Sequence, residues 1–476
     1  MRIIGNNPAA DNAEITAVAS GTLPNGKPVI VNADGTVSVP TSALGTATVF
    51  EGSESTYVSA TFDSNSNKVV IAYRDQVNSG AATAVVGTVS GSTISFGTVV
   101  VFDGSMSFSS CAFDSNSNKV VISYTDGGNS NYGTAIVGTV SGTGISFGTA
   151  VVFESASTQY ASATFDSNSN KVVIAYTDQG NSNYGTAIVG TVSGTNISFG
   201  SAAVFESAST LYITSTFDSN SNKVVIAYRD AGNSNYGTAI VGTISGTNIS
   251  FGSAVVYEAA TSNHTTAIFD SNSNKVVIAY QDNGNSNYGT AIVGTVSGTG
   301  ISFGTAVVFE NVIASQLSSF FDSSNNKVGF VYNDETGDNG TIVLGTVSGT
   351  SISFDSPLVF ADAGTKQTAA VFDSNSNRTV VAYGDRGNSN SGTALVYNAD
   401  PNDLTAENFI GIANGAAADG GTARVQIGSG INGAQSSLTA GQQYFVQTDG
   451  TLGLTAADPS VIAGTAISAT EIIVKG

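Results

Sequence analysis

Phe165-Asp166-Ser167-Asn168-Ser169-Asn170-Lys171-Val172-Val173-Ile174-Ala175-Tyr176 is the stretch from which the architecture follows. Its centre is a turn built from residues that hydrogen-bond their own backbone. Its second half is a β-branched strand. The Phe-Asp-Ser string recurs at Asp63, Asp114, Asp166, Asp218, Asp270, Asp322 and Asp373, with spacings of 51, 52, 52, 52, 52 and 51 residues. Working outward, Ala163-Thr164-Phe165-Asp166 ends one apolar stretch, and Thr177 to Tyr184 reads as a polar loop. Gly185 to Val192 is a further strand, Ser193-Gly194-Thr195-Asn196 a turn, and Ile197 to Phe205 a fourth strand. No stretch has helical periodicity.

Four strands per repeat describe a propeller blade, with a solenoid as the rival. The ends decide between them. After Asp373 the last unit has a second strand (Arg378 to Tyr383) and a third (Gly392 to Tyr397), but no fourth. A matching strand stands at the other end of the chain. Leu44-Gly45-Thr46-Ala47-Thr48-Val49-Phe50-Glu51 parallels Phe303-Gly304-Thr305-Ala306-Val307-Val308-Phe309-Glu310. An N-terminal strand that completes the last blade closes a ring and removes its open sheet edges. The expected fold is all-β: a seven-bladed β-propeller of four-stranded blades over residues 44–400, closed by an N-terminal strand clasp.

Residues 1–43 and 401–476 lie outside the repeat and resemble each other. Gly26-Lys27-Pro28-Val29-Ile30-Val31-Asn32-Ala33-Asp34-Gly35-Thr36-Val37 parallels Gly441 to Leu452, each a strand followed by an Asp-Gly turn. The clasp brings the two flanks together, so they are expected to form one small split β domain with the propeller inserted in it. Ile410 to Ala413, Ala423 to Ile427 and Ile472 to Val474 supply its further strands.

Composition narrows the function. The chain of 476 residues has 35 acidic and 15 basic side chains, a net charge of −20. That balance argues against nucleic acid as a partner, since phosphate binding needs clustered Lys and Arg. A single cysteine, Cys111, excludes an internal disulfide framework and a Cys-based zinc site. A single histidine, His264, excludes a His-rich metal site and disfavours a Ser-His-Asp triad. No apolar run is long enough to span a membrane. Met1 to Pro8 lacks the apolar core of a signal peptide, so synthesis in a cytoplasm is expected.

Three sets of acids recur with the repeat: Asp63 and its equivalents; Asp75, Asp126, Asp178, Asp230, Asp282, Asp334 and Asp385; and Glu51, Asp103, Glu154, Glu206, Glu258, Glu310 and Asp362. Asp166-Ser167-Asn168-Ser169-Asn170 has the oxygen spacing of a calcium loop. Lys171 stands where that loop needs Gly, however, and no acid follows at its twelfth position. Turn chemistry accounts for the pattern, and neither a metal nor a cofactor is expected. Paired acids such as Asp166 and Asp178 also serve glycosidases. Catalysis needs one asymmetric site, whereas these recur in every blade, so a non-enzymatic protein is expected. Cys111 reads as a buried core thiol.

The turns containing Asp-Ser-Asn-Ser-Asn are nearly uniform, whereas the lead-in loops to each first strand diverge: Gly52 to Ser59, Gly104 to Ser110, Ser155 to Ser162, Ser207 to Thr214, Ala259 to Thr266, Asn311 to Ser318 and Asp362 to Ala369. Five residues before each Phe-Asp pair stand Tyr57, Phe108, Tyr160, Tyr212, His264, Gln316 and Gln367, expected near the channel mouth. Tyr132, Tyr184, Tyr236 and Tyr288 fall in second-to-third-strand loops of the same face. Aromatic side chains there suit a glycan or a protein receptor, or packing between blades. His264, alone of its kind, reads as an exposed loop residue.

Val29 to Val37, Asn408 to Ala413, Leu438 to Val446 and Ala463 to Thr470, in that order, resemble a small β domain of bacteriophage structural proteins of the head-decoration and fibre kind. The style of the repeat is similar to that of marine phage virion proteins. The resemblance implies a virion surface structural protein, anchored to other capsid or tail proteins through the split domain, with the propeller displayed for decoration or attachment. A carbohydrate-binding surface adhesin and a glycan-degrading tailspike are the alternatives. Decoration and fibre proteins are often trimeric. The chain has no coiled-coil heptads, so a homo-oligomer would assemble through the β domain or the blade edges.

Overall fold

Each repeat folds into one antiparallel blade, as the third shows. In this computed structural model, which describes residues 14–402, 404–457 and 459–475, Thr158 to Asp166 is its inner strand. That strand pairs with Lys171–Asp178, which pairs with Tyr184–Ser193. The expected fourth strand, Ile197 to Phe205, is in fact broken. Asn196–Phe199 pairs with the end of the third strand, and the chain leaves the ladder over residues 200–202. It re-forms as Ala203–Asp218. The first part of that strand edges blade three, and the rest is the inner strand of blade four. One continuous strand thus stitches each of these blades to the next.

The second strands are continuous apolar runs because both of their faces are covered. Val172, Val173, Ile174, Ala175 and Tyr176 are fully buried. Alternate residues face opposite neighbours. Val173 and Ala175 pack with Val224, Ile226 and Tyr228 of blade four, and Val172, Ile174 and Tyr176 with Val121 and Val137 of blade two. The same pattern closes the ring, where Val69, Ile71 and Tyr73 of blade one pack against Val380, Ala382, Ala394 and Val396 of blade seven. The clasp is present, with Thr48 opposite Ala394 and Val49 opposite Thr393. The fold is a seven-bladed propeller.

Around the channel, inner strands of neighbouring blades are bridged by hydroxyls. The oxygens of Ser59, Ser110, Ser162 and Ser318 accept the backbone N–H of Cys111, Ala163, Ser215 and Ala370 at 2.9–3.0 Å. Cys111 is half-buried: it packs against the core around Val120 and Ile122, as expected, and also lines the channel. Burial pushes its thiol up to about 12.

The propeller unit runs from Thr46 to Tyr397, and both ends of the chain contribute to a second unit. Residues 1–13, to which the split-domain and signal-peptide expectations extend, lie outside the described residues. The second unit is an internal duplication. One sheet has the order Glu14–Val18, Thr422–Gln426, Phe409–Ala413, Pro28–Val31, Val37–Ser38. The other has the order Ile431–Asn432, Ile472–Val474, Val461–Ala466, Gln443–Val446, Leu452–Gly453. Numbered along the chain, the two orders are identical. Their Asp-Gly turns match as well, Thr36 N–H donating to Asp34 at 2.9 Å and Thr451 N–H to Asp449 at 3.0 Å. The propeller occupies the connection between the third and fourth strands of the first copy.

Candidate functional site: an aromatic ring at the channel mouth

The lead-in segments are extended strand for most of their length, not loops, and each carries a bulge. In blade three, Gln159 pairs with Thr177 and Ser162 with Ala175, which sets two residues, Tyr160 and Ala161, against the single Tyr176. A bulge of this kind re-aims a side chain. Tyr57, Phe108, Tyr160, Tyr212, His264, Gln316 and Gln367 all adopt the left-handed region, with φ between 45° and 54°. That conformation costs of the order of 1–3 kcal/mol for a bulky residue, and such strain concentrates at functional sites.

The bulges gather these seven side chains round one cavity of about 440 Å³ at the end of the channel. Ring centroids follow one another at 5.2 Å (Tyr57 to Phe108), 4.9 Å (Phe108 to Tyr160), 5.3 Å (Tyr160 to Tyr212) and 5.1 Å (Tyr212 to His264). Successive planes are tilted by 50–54°, close to one seventh of a full turn, so each ring repeats its neighbour's orientation within its own blade. The rings therefore pack between blades and also wall a cavity. His264 belongs to this ring and is not an exposed loop residue; burial lowers its pKa, and the nearby Glu335 charge opposes the shift. Gln316 and Gln367 complete the circle with polar groups, and the Gln367 carboxamide accepts the Tyr57 backbone N–H. The wall is thus aromatic over one arc and hydrogen-bonding over the other.

Tyr132, Tyr184, Tyr236 and Tyr288 are placed differently. Each is the first residue of a third strand, paired with the last aspartate of the second, and none lines the cavity. They share its face of the propeller but stand further from the axis.

One residue was missed in the sequence. The guanidinium of Arg229 lies 5.1 Å from the centroid of Tyr212, and its Nη1 donates to Asn263. Thr125 and Thr177 hold the equivalent position in blades two and three and bond to the next inner strand. The position varies round the ring (Arg74, Thr125, Thr177, Arg229, Gln281, Asn333 and Gly384), so no pattern in the sequence singled Arg229 out.

The recurring acids have structural partners. Asp166 Oδ1 accepts the backbone N–H of Asn168 and Ser169 at 2.8 and 3.0 Å, the turn chemistry expected of the Asp-Ser-Asn-Ser-Asn motif. Asp126 accepts from Gly128 and Asn129 at 2.8 and 3.1 Å. The third set receives the hydroxyls of buried tyrosines, as in Tyr176 to Glu154 at 3.0 Å and Tyr280 to Glu258 at 2.8 Å. Asp362 does not belong to that set. Gly340 faces Ala361 where Gly289 faces Glu310, so Asp362 stands one residue out of register. Among the described residues, no group of three or more His, Cys, Asp or Glu side chains is placed to hold a metal ion.

Crowding these carboxylates has a measurable consequence. Burial, then the charge of Asp178, raises the pKa of Glu154; burial, then Asp230, raises Glu206. Burial also raises Glu258, Asp126 and Asp282. An acid raised on folding contributes stability that is present below its unfolded pKa and lost as pH rises through the folded one. Acidification from neutral pH toward the unfolded carboxylate pKa of about 4 should therefore raise the propeller's melting temperature. His264, lowered on folding, opposes this as a single group. Thermal unfolding across that range is the check, and a steady fall in melting temperature would contradict the assignment.

Comparison with protein-family models and with curated proteins gives no match for the chain. Solved structures match in fold. BP39L lectin from Burkholderia pseudomallei superposes with a TM-score of 0.55 at 10% identity, over 76% of this chain and 98% of that one. The β-propeller domain of Cps50 (Swd1) from Myceliophteria thermophila gives 0.50 at 8% identity, over 75% and 99%. A chain of the mitotic checkpoint complex gives 0.50 at 8% identity, over 75% and 92%.

Proposed function

We propose that this chain is a non-enzymatic attachment protein of a virus particle, with the channel mouth as its receptor site and a glycan as the receptor. The observation that carries the reading is the asymmetric wall of the mouth. A sugar ring offers an apolar C–H face and a hydroxyl edge, and the wall offers an aromatic arc and a hydrogen-bonding arc. A lectin among the solved propellers of similar shape is in keeping with this. The non-enzymatic part rests on the acids: Glu154 and its equivalents are tied to tyrosines blade after blade, so no one carboxylate is set apart for chemistry. The split domain supplies the anchor to other particle proteins, as its resemblance to phage structural domains implies.

Replacing Tyr160 and Tyr212 by alanine should weaken binding to envelope polysaccharide at least about tenfold, since each removes an aromatic contact worth about 1 kcal/mol. Tyr160→Phe, which keeps the packing between blades, separates loss of contact from loss of fold. Unchanged binding by folded Tyr160→Ala would refute the site. Immunogold labelling of purified particles with antibody to residues 45–400 tests the location. Label on the head means decoration, label on the tail means attachment, and bare particles would end the virion reading.

A further inference from the structure

The charges around the mouth are arranged in rings, and acids predominate among them. Each second strand ends in an aspartate, from Asp75 to Asp385, on the same face as the mouth. Each of these aspartates pairs across the ladder with the residue two positions before a mouth side chain, Asp178 with Thr158 and Asp230 with Thr210. They therefore form a ring one strand-spacing outside the aromatic wall. A second ring, from Glu51 to Glu310, surrounds it on the outer strands of the same face. Burial first, and a neighbouring carboxylate second, raises the pKa of Glu154, Glu206 and Asp126.

Cations on this face are too few to cancel the field of these acids; Arg74 stands beside Asp75, at the strand position that Arg229 holds in blade four. Lys366 is taken by Glu54 at 2.8 Å and Arg386 by Asp338 at 3.0 Å. Arg229 is held by Asn263, over the ring of Tyr212. Arg229 also shows what the wall accepts: a flat cation already rests on one of its aromatic rings. Aromatic walls attract cations through their quadrupole, and a surrounding carboxylate field concentrates them.

We infer that the mouth selects an amine-bearing saccharide, a hexosamine whose nitrogen is free and protonated, over its acetylated or carboxylated counterparts. The inference rests on the glycan reading above and adds the charge of the ligand to it. The aromatic arc takes the sugar face, while the aspartate ring supplies the field for the ammonium group without touching it.

The test is calorimetric titration of the full chain with three probes: a glucosamine tetramer, the N-acetylglucosamine tetramer and a galacturonic acid tetramer. The free-amine tetramer should bind at least about tenfold more tightly than the acetylated one, with the difference shrinking at high salt. Asp178→Asn with Asp230→Asn should reduce that preference and leave binding of the acetylated tetramer unchanged, since asparagine can still cap the turn. Arg229→Gln should strengthen binding of the amine probe. If the acetylated or acidic tetramer binds as well as the amine, and folded Tyr160→Ala still abolishes binding, the charge inference fails and the glycan site stands. If none of the three binds, or binding survives Tyr160→Ala, both fail.

Discussion

Phe50→Ala should destabilise the propeller by about 3–5 kcal/mol, the range for emptying a buried aromatic site. Phe50 is 7% exposed and packs against Tyr73 and Phe96 at ring separations of 5.1 and 5.6 Å. It also covers Gly392, where a Cβ would come within 2.3 Å of its ring. Phe205 has the same environment in mid-ring, 5.2 Å from Tyr228 and 5.8 Å from Phe251. The equilibrium cost of Phe205→Ala should therefore be similar. The difference lies in what opens. Phe50 belongs to the strand that joins blade one to blade seven, so its loss should release amide protection in both blades. Loss of Phe205 falls on a continuous stretch of chain and should stay local. Denaturant unfolding with hydrogen exchange on both variants reads this directly. An unchanged stability for Phe50→Ala would mean that the clasp does not hold the ring.

Gly200→Ala should cost about 1–3 kcal/mol or more through overpacking at a blade junction. A Cβ at Gly200 would lie 2.0 Å from the carbonyl oxygen of Thr247, in the outer hairpin of the next blade. Backbone cannot swing aside as a side chain can. The same contact recurs at Gly97, Gly148, Gly252 and Gly304, at 1.8–1.9 Å from the oxygens of Thr143, Thr195, Thr299 and Thr350. At the sixth junction the residue is Asp355. Blade seven has no outer hairpin there, because its third strand ends at Tyr397. Asp355→Ala should change stability by no more than about 0.5 kcal/mol, since its 3.2 Å pair with Lys327 is exposed. Melting temperatures of the two variants side by side test the explanation. Equal effects would show that the glycine answers to something other than the neighbouring blade.

The repeat was legible because it is written in two unambiguous signals, an apolar run buried on both faces and an Asp-capped turn. Ring closure was legible because Leu44 to Glu51 copies the outer strand that blade seven lacks. The mouth was legible only as a position. Aromatic residues avoid the left-handed region, so nothing local announces that Tyr160 sits in a bulge with φ of 50°. Spacing alone led Tyr184 and its equivalents to be grouped with the ring, although the ladder starts each of them on a third strand. The Asp362 error has the same source, because a repeat shortened by one residue shifts the register without altering the look of the motif. In the split domain the Asp-Gly turns exposed the duplication. The strand order was hidden because neighbours such as Pro28–Val31 and Phe409–Ala413 lie on opposite sides of the insertion.

That duplication gives its two halves unequal folding histories. The second copy draws all five strands from Ile431 to Val474, so its contacts are short in sequence and form fast. The first copy must pair Val29 with Gly411 across the whole inserted ring. While the ring is unformed, the entropy of closing that long loop opposes the pairing. Once Thr48 has found Ala394, the intervening chain is already ordered and its ends are held together. The propeller thus acts as a timer on its host domain, and a weakened clasp would be felt first as slow completion of the first copy's sheet.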